Sequence, residues 1–250
     1  MRFKKLCVIV FVAVCMCFAV DLCANATYTI SYEYELDGRI KSRTENGFKK
    51  VFEYDIMDQL TGVLGDKGNY LEKYTYDKAG NMLSKDIKGK ITTFTYDKAN
   101  QLATKTENGK TINYTYDAAG RLIQEGNRTY KYGFMNKVME VHEDSKLVAK
   151  MEYHGNGQLA EVQRADGVEL FDWDGLALIS RSYQPAEGSS TKGYSNTYIN
   201  EPAVTGGNPI LSNDTVMFND MLGSTYATSS NGNITAIERT QFGVTDTKTE

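Results

Sequence analysis

An aromatic residue recurs along most of this chain at intervals of 16 to 22 residues, and no other feature narrows the choice of fold as much. These anchor residues are Tyr34, Tyr54, Tyr76, Tyr96, Tyr116, Tyr132, Tyr153 and Trp173. Six residues after each anchor stands an apolar side chain, at Ile40, Leu60, Met82, Leu102, Leu122, Val138, Leu159 and Ile179. A period this short is typical of a repeat architecture in which each unit is one supersecondary element.

The residues after each anchor favour a tight turn. Aspartate follows five anchors directly, at Asp55, Asp77, Asp97, Asp117 and Asp174. Four residues after the anchor stand Gly38, Asp58, Gly80, Asn100, Gly120, Asn136 and Gly157, whereas the eighth unit has Ala177. Aspartate at the first position of a type I turn accepts backbone hydrogen bonds, and glycine or asparagine tolerates the left-handed conformation that closes a hairpin. The pattern Tyr-Asp-x-x-Gly therefore predicts a hairpin turn.

A second turn candidate lies in the other half of most units. The candidates are Asn46-Gly47, Gly68-Asn69, Lys88-Gly89, Asn108-Gly109, Gly126-Asn127, Asp144-Ser145 and Asp166-Gly167. Two turns in each unit leave strands of about six to eight residues. No proline occurs from Thr27 to Tyr183, which suits uninterrupted β pairing. We predict an all-β fold of serial antiparallel β-hairpins. Because one unit buries too little apolar surface to fold alone, the hairpins pair edge to edge into a curved or spiral sheet.

The first 26 residues have the pattern of a secretory signal peptide. Arg2, Lys4 and Lys5 precede an uncharged apolar run of 15 residues, and Ala24-Asn25-Ala26 is a small-x-small cleavage site. The run is too short for a typical membrane-spanning helix. We therefore expect cleavage, a secreted or cell-envelope location and no stable membrane span in the mature chain. Retention of this segment as an anchor is the alternative.

The cysteines and the charge exclude several classes of site. All four cysteines lie within the signal segment, at Cys7, Cys15, Cys17 and Cys23. The mature chain from Thr27 therefore has no disulfide scaffold, zinc–thiolate site or cysteine nucleophile. The formal net charge of −4 also makes a nucleic-acid binder a poor interpretation. We predict no cofactor and no metal site.

The Tyr-Asp repeats from about Tyr32 to Trp173 resemble the YD repeats of the bacterial Rhs family, of animal teneurins and of the shell component of insecticidal Tc toxins. The segment from Trp173 to Ile179 looks like the one that follows the last regular repeats in Rhs proteins. Residues 217–243 are similar to the Rhs-associated core end, which has an Asn-Gly turn between its two conserved motifs, here Asn231-Gly232. The core-end motif consists of Leu222, Gly223, Ser224, Phe242 and Gly243.

This resemblance implies a β-sheet that spirals into a hollow shell. Such shells enclose a C-terminal toxin in Rhs and Tc proteins, and they serve cell–cell adhesion in teneurins. Eight units suffice for a partial YD-shell rather than a closed chamber. Gln241 stands where the family usually has proline, and we expect neither toxin activity nor self-cleavage. The predicted organisation is a signal peptide (1–26), a YD-repeat hairpin array (27–183), a loop-rich connection (184–213) and the core end (214–250).

Two groups of residues also permit a chemical interpretation. Asp172 and Asp174 flank Trp173, the only tryptophan, and two carboxylates beside a sugar-stacking ring could act as the acid and nucleophile of a glycosidase. The structural interpretation instead makes Trp173 an anchor and Asp174 its turn partner. His142 and His154 could bind a metal or act as a general base. Because they lie in separate units, we favour surface or pairing roles for both.

The function we expect is a non-enzymatic structural or interaction module. Open sheet edges invite pairing, so the predicted partner is a protein, either a second copy or a longer Rhs-type chain. The chain could also be a fragment of a larger toxin shell, separated from its effector. The alternative is a carbohydrate-binding or glycan-cleaving surface protein. A structural function predicts rings in a packed interior at Tyr74, Tyr76, Tyr114 and Tyr116, whereas glycan binding predicts rings exposed in a groove.

Overall fold

The computed structural model describes residues 28–200, 208–219, 224–237, 239–240 and 242–244. This part of the chain contains strands, turns and one short 3-10 turn at Phe134–Asn136, and no α-helix. All of its strand pairs are antiparallel. The prediction of an all-β fold of serial antiparallel hairpins is therefore confirmed.

Some predictions fall on residues outside these ranges. The signal segment (1–26), Gln241, and Leu222 and Gly223 of the core-end motif all lie outside the described residues. Within the described ranges, no helix combines the length and the apolar character needed to cross a membrane.

The chain divides into two compact units. The first contains the described residues up to Thr111 and those from Tyr226 onward, and the second runs from Ile112 to Thr225. The boundaries fall within β9 (Lys110–Tyr116) and β20 (Thr225–Ser230). The other strands of the first unit are β1 (Ile30–Tyr34), β2 (Ile40–Glu45), β3 (Phe48–Tyr54), β4 (Leu60–Leu64), β5 (Tyr70–Tyr76), β6 (Met82–Ile87), β7 (Lys90–Tyr96), β8 (Leu102–Glu107), β21 (Asn233–Ala236), β22 (Arg239–Thr240) and β23 (Gly243–Val244).

The second unit continues the series of hairpins. Its remaining strands are β10 (Leu122–Glu125), β11 (Arg128–Tyr132), β12 (Val138–Glu143), β13 (Lys146–Tyr153), β14 (Leu159–Arg164), β15 (Gly167–Asp174), β16 (Ala177–Pro185), β17 (Tyr194–Asn200), β18 (Pro209–Ser212) and β19 (Thr215–Asn219). From β10 to β19, each strand pairs with the next one along the chain.

A β-bulge marks the anchor of each regular hairpin. In the β5–β6 hairpin, Tyr76 pairs with Met82, and the register shifts between Thr75 and Tyr76. The same shift directly precedes Tyr34, Tyr54, Tyr96, Tyr132, Tyr153 and Trp173. In the turn that follows Tyr76, Gly80 has a φ of +88°. This combination of a type I turn and a left-handed residue is the three-residue hairpin connection with a bulge, so the predicted turn conformation is confirmed.

The second turns are mostly two-residue hairpin turns. Both residues of Asn46-Gly47, Lys88-Gly89, Asn108-Gly109 and Asp144-Ser145 have positive φ, which is the signature of a type I′ turn. Two candidates need correction. The candidate at Asp166-Gly167 is a turn over Ala165 and Asp166, since Arg164 pairs with Gly167, the first residue of β15. The other is the candidate at Gly68-Asn69. That turn spans Gly65 to Gly68, since the Gly68 N–H donates to the Gly65 carbonyl (2.9 Å) and Gly68 has a φ of +74°.

The segment predicted to be a loop-rich connection contains two strands, β17 and β18. Among its described residues, the longest irregular stretch is 186–193, where the chain forms a turn at Gly188 (φ +79°), and a shorter turn begins at Asn213 (φ +49°). Beyond that turn, Asn196, Tyr198 and Asn200 are half-buried and alternate with exposed residues, which is the pattern of a strand with one covered face. The domain boundaries proposed from the sequence stay a prediction.

Candidate functional site

The anchor side chains tie each hairpin to the one before it. The Tyr54 hydroxyl donates to the carbonyl of Ile40 (2.9 Å), and the Tyr76 hydroxyl donates to that of Leu60 (2.7 Å). In each case the acceptor is the apolar residue six positions after the preceding anchor. The same bond joins Tyr96 to Met82 (2.9 Å), Tyr132 to Leu122 (2.8 Å), Tyr153 to Val138 (2.8 Å) and Trp173 to Leu159 (2.8 Å). Trp173 uses its indole N–H, so the anchor position requires an aromatic ring with a hydrogen-bond donor at its tip.

The rings of this column and its neighbours are largely covered. Tyr74 is 3% exposed, and Tyr76, Tyr114 and Tyr116 are half-buried. Burial raises the pKa of the Tyr76 hydroxyl, as it does for Tyr54 and Tyr153. Partial burial combined with an internal bond at the polar tip supports the structural interpretation over the exposed groove that glycan binding requires.

The aspartate after the anchor stabilises the turn through backbone hydrogen bonds. Asp77 Oδ1 accepts from the N–H groups of Ala79 (2.8 Å) and Asn81 (2.9 Å). Asp55, Asp97 and Asp117 accept from the same two positions of their own turns. The side chain of Asn81 and these N–H groups hold the pKa of Asp77 below its usual range. Hydrogen bonding to the charged form explains this direction.

Two turns without this aspartate use a different acceptor. Glu35 and His154 occupy the position after the anchor in the first and seventh units. There the residue two positions further on replaces the aspartate: Asp37 Oδ1 accepts from the Arg39 N–H, and Asn156 Oδ1 accepts from the Gln158 N–H (both 3.1 Å). The side chain that accepts the backbone hydrogen bond can therefore stand at the first or at the third position of the turn.

The eighth unit has a shorter turn than the regular units. Asp174 is the last residue of β15 and pairs with Ala177, so the chain turns over Gly175 and Leu176 alone. Asp174 therefore takes the first position of its turn, and this connection has two central residues where the regular units have three. Trp173 keeps its anchor role through the bond to Leu159. Asp172 is exposed and accepts a hydrogen bond from the Ser180 hydroxyl (3.0 Å).

Contacts between successive turns line one edge of each unit. The Arg39 guanidinium donates to Asp58 Oδ1 of the next turn (2.8 Å). Asn81 donates to Asn100 (3.1 Å), and Arg121 donates to Asn136 (3.2 Å). In each pair the donor lies five residues after one anchor and the acceptor lies four residues after the next. We call the edge formed by these turns the anchor rim of its unit.

The two histidines lie in different settings. His142 is half-buried in β12, with Nε2 3.5 Å from Glu140 Oε2. His154 is a turn residue whose N–H donates to the Gln158 carbonyl (2.8 Å). Across the described ranges, no group of three or more histidine, cysteine or acidic residues has the geometry to hold a metal ion.

A buried ionic cluster in the first unit is formed by residues outside the periodic sequence pattern. Arg43 is 3% exposed and lies 2.5 Å from Glu45, and its guanidinium donates to the Tyr226 hydroxyl (2.8 Å). Burial, and then the nearby Glu45 carboxylate, raise the pKa of Tyr28 to about 12. The alternation of β2 indicates only on which face of the strand Arg43 lies. The repeat therefore does not predict its partner on β20. A cavity of about 300 Å³ beside this cluster is lined by Phe48, Glu72 and other residues of the first unit.

The core end contributes one aromatic contact to the first unit. The ring of Phe242 packs edge-on against that of Tyr74, with centroids 4.8 Å apart. Gly243 begins β23, and Ser224 directly precedes β20. Only these three residues of the predicted core-end motif fall within the described ranges.

A second buried carboxylate organises the second unit. Glu169 is 4% exposed and accepts hydrogen bonds from Arg181 (2.5 Å), Arg164 (3.1 Å) and the Tyr194 hydroxyl. Burial alone would raise the pKa of Glu169, but these three donors outweigh burial and lower it. The donors come from β14, β16 and β17, so one side chain joins four strands. The sequence shows Glu169 only as an acidic residue within a strand.

Comparison with known proteins places these repeats in a family. A family model described as teneurin YD-shell matches residues 18–174, which is more than half of the chain. The structure titled TcdB2-TccC3-TEV is 12% identical with a TM-score of 0.41, covering 82% of this chain and 13% of that one. A mutant Tc holotoxin pore from Photorhabdus luminescens is 16% identical with a TM-score of 0.34, covering 87% of this chain and 12% of that one.

The chain thus spans about one eighth of the length of these two solved structures. No curated protein matches the sequence. The resemblance to YD-repeat proteins is confirmed by the family model, whose match includes every anchor and nearly all of the turns described above. The chain belongs to the teneurin YD-shell family.

Proposed function

We propose that this chain is an exported, non-enzymatic structural module of YD-shell type that acts by holding a protein partner. The partner is a second copy of the chain or a longer Rhs-type chain. One observation carries the proposal: six anchors direct their polar tips to backbone carbonyls of the preceding hairpin. These groups support the array itself and are not presented to a substrate.

The alternative of glycan binding makes a different demand on the same residues. Sugar-stacking sites require an accessible aromatic face and polar groups directed outward. Trp173 is half-buried, and its indole N–H is engaged by Leu159. The alternation of β15 directs Asp172 to the strand face opposite Trp173, which supports a structural role for this tryptophan.

The single tryptophan provides a direct test. We expect a glycan microarray to show no saturable binding, and the emission of Trp173 to stay constant when the chain is titrated with the glycans that give the highest array signal. We expect Trp173→Phe to lower the free energy of unfolding by about 1–3 kcal/mol, because the Leu159 carbonyl loses its donor. Saturable quenching by a glycan, together with unchanged stability of the variant, would overturn the proposal.

Export and partner choice need separate measurements. N-terminal sequencing of the exported product should begin at Thr27, and an intact N-terminus would contradict cleavage. Sedimentation velocity over a range of concentrations tests pairing with a second copy. A chain that stays monomeric and does not bind a purified longer Rhs-type chain would contradict the partner assignment.

A further inference from the structure

The most exposed large apolar side chains of the described ranges all occupy one kind of position. Five of them are at least two-thirds exposed: Leu36 (109%), Ile56 (99%), Met57 (69%), Phe134 (87%) and Leu176 (94%). Each is the second or third residue after an anchor, and each therefore lies on an anchor rim. The turns at the opposite edge are Asn46-Gly47, Lys88-Gly89 and other polar pairs. The five side chains of highest exposure thus lie on one edge of each unit, whereas less exposed apolar residues such as Ile91 (57%) and Leu147 (52%) flank turns of the opposite edge.

In the first unit, three of these side chains form a compact group. Leu36 and Ile56 follow successive anchors, so their hairpins are neighbours, and the turns are about 10 Å apart at two strand spacings. Arg39 joins these two turns through Asp58 (2.8 Å). Met57 adds a third apolar side chain to the second turn. We call Leu36, Ile56 and Met57 the apolar tips of the first unit.

Several polar groups around the apolar tips have hydrogen-bond partners within the turns. Asp55 Oδ1 accepts from the N–H groups of Met57 (2.8 Å) and Gln59 (3.0 Å), and the Asp58 N–H donates to the Asp55 carbonyl (3.2 Å). Asp37 and Asp58 both pair with Arg39. These internal bonds reduce the number of polar groups that would lose a hydrogen bond to water when the turn enters the bilayer interface, and that loss is the main barrier to placing backbone in a lipid environment.

We propose that the anchor rim of the first unit binds a lipid bilayer by inserting Leu36, Ile56 and Met57 into its interfacial region. Leu36 and Ile56 are almost fully exposed and Met57 is two-thirds exposed, so mobile acyl chains can surround them without a preformed pocket. A protein partner would need a separate pocket for each tip. Three side chains also offer less area than the roughly 800 Å² per partner that a stable protein interface buries.

The charges on this rim favour a zwitterionic surface. Carboxylates at Glu35, Asp37, Asp55 and Asp58 accompany the apolar tips, with Arg39 between two of them and Lys41 3.5 Å from Glu35, so negative groups outnumber positive ones. An anionic bilayer would repel these carboxylates, whereas phosphatidylcholine carries no net charge. The second unit has Phe134 and Leu176 at the same turn positions, so the arrangement is not confined to one pair of hairpins. This inference is separate from the proposed protein partner, and either can fail without the other.

Phosphatidylcholine vesicles and the full chain provide the test. We expect the triple variant Leu36→Ser, Ile56→Ser, Met57→Ser to bind vesicles at least about 100-fold more weakly than the unaltered chain, since three buried side chains lose their transfer free energy. Lys67→Ser, in a turn at the opposite edge, is the matched control and should bind as the unaltered chain does. Circular dichroism confirms that both variants are folded.

A depth-sensitive reporter separates the rim from the apolar run at residues 6–20, which also has affinity for lipid. We expect brominated phosphatidylcholine to quench a tryptophan introduced by Ile56→Trp and to leave one introduced by Lys67→Trp unaffected, with the Trp173 signal subtracted. Equal quenching at both positions, or none at position 56, overturns the proposal. Loss of self-association in the triple variant with unchanged vesicle binding also overturns it and assigns the tips to a protein interface.

Discussion

The residue four positions after an anchor adopts a backbone conformation that most side chains avoid. Gly80 and Gly120 have φ angles of +88° and +77°, and Asp58 and Asn100 have angles of +61° and +60°. Glycine has no Cβ to clash in this region, and residues with short polar side chains are less strained there than other residues are. This steric requirement explains why three residue types share the column and β-branched residues do not occur in it.

Replacing either glycine by valine tests that requirement. We expect Gly80→Val and Gly120→Val each to lower the free energy of unfolding by about 1–3 kcal/mol, because a β-branched residue resists a positive φ. Thermal and denaturant unfolding measure the change. Asparagine at the same two positions is the control and should cost less than valine. Unchanged thermal midpoints in both valine variants would contradict the turn assignment.

The hydroxyl of an anchor tyrosine contributes to the pairing of hairpins. Tyr153 donates to the carbonyl of Val138 at 2.8 Å, so Tyr153→Phe removes one internal bond and little else. We expect this variant to lose about 0.5–1.5 kcal/mol of unfolding free energy. Tyr70, whose hydroxyl donates to the Glu53 carboxylate (2.8 Å) in an exposed setting, provides the control. Equal losses of unfolding free energy for Tyr153→Phe and Tyr70→Phe would show that the inter-hairpin hydrogen bond stabilises the fold no more than the exposed one does.

At the scale of strands, a single carboxylate holds a group of neighbouring hairpins together. Glu169 on β15 accepts from Arg164 (3.1 Å) and Arg181 (2.5 Å), and also from Tyr194 of β17. Truncating one partner of a buried charged group is costly because the remaining charges stay desolvated. Regular backbone pairing is thus reinforced at one point by a network that spans four strands.

This network makes the second unit sensitive to acid. Because the folded pKa of Glu169 is lowered, its contribution to stability is complete above the unfolded pKa of about 4.3 and is lost as the pH falls through the folded pKa. We expect Glu169→Gln to cost about 2–4 kcal/mol at pH 7, and this difference to shrink below about pH 4. Urea unfolding at several pH values measures it.

The exposed Glu152→Gln is the matched control for this prediction, since Glu152 pairs only with Lys150 (3.1 Å) at the surface. It should change stability by less than about 1 kcal/mol at every pH. A Glu169→Gln variant that lost the same stability at pH 3 as at pH 7 would show that the charge of Glu169 does not stabilise the fold.

For the whole molecule, periodic features were predictable from the sequence and non-periodic ones were not. Turn chemistry acts over five residues, so Asp77 and Gly80 predict their hairpin locally. The acceptors of the anchor hydroxyls depend on how neighbouring hairpins align, which the pattern does not specify. The bond from Arg43 to Tyr226 joins residues 183 positions apart, and nothing in either segment marks the other. The motif at Asp174 marks a turn, but it does not show that this turn is one residue shorter than the others.

Because the chain contains 17 tyrosines, we expect its free energy of unfolding to change with pH in the alkaline range. Burial and Glu45 raise the pKa of Tyr28 to about 12, and burial and Glu125 do the same for Tyr130. A folded state that favours the protonated phenol is fully stabilised below the unfolded pKa of about 10 and loses that stabilisation as the pH rises through the folded value. We therefore expect the free energy of unfolding to fall between about pH 10 and pH 12.

Two observables recorded together test this expectation. Ultraviolet absorbance reports tyrosinate, and far-ultraviolet circular dichroism reports the strands. We expect the last tyrosines to ionise in step with strand loss, because unfolding exposes them. The double variant Tyr28→Phe, Tyr130→Phe removes two phenols whose pKa is raised to about 12, so its strands should persist to higher pH than those of the unaltered chain. If all tyrosines instead ionised near pH 10 while the strands remained intact, burial of the aromatic column would not control the stability of the fold.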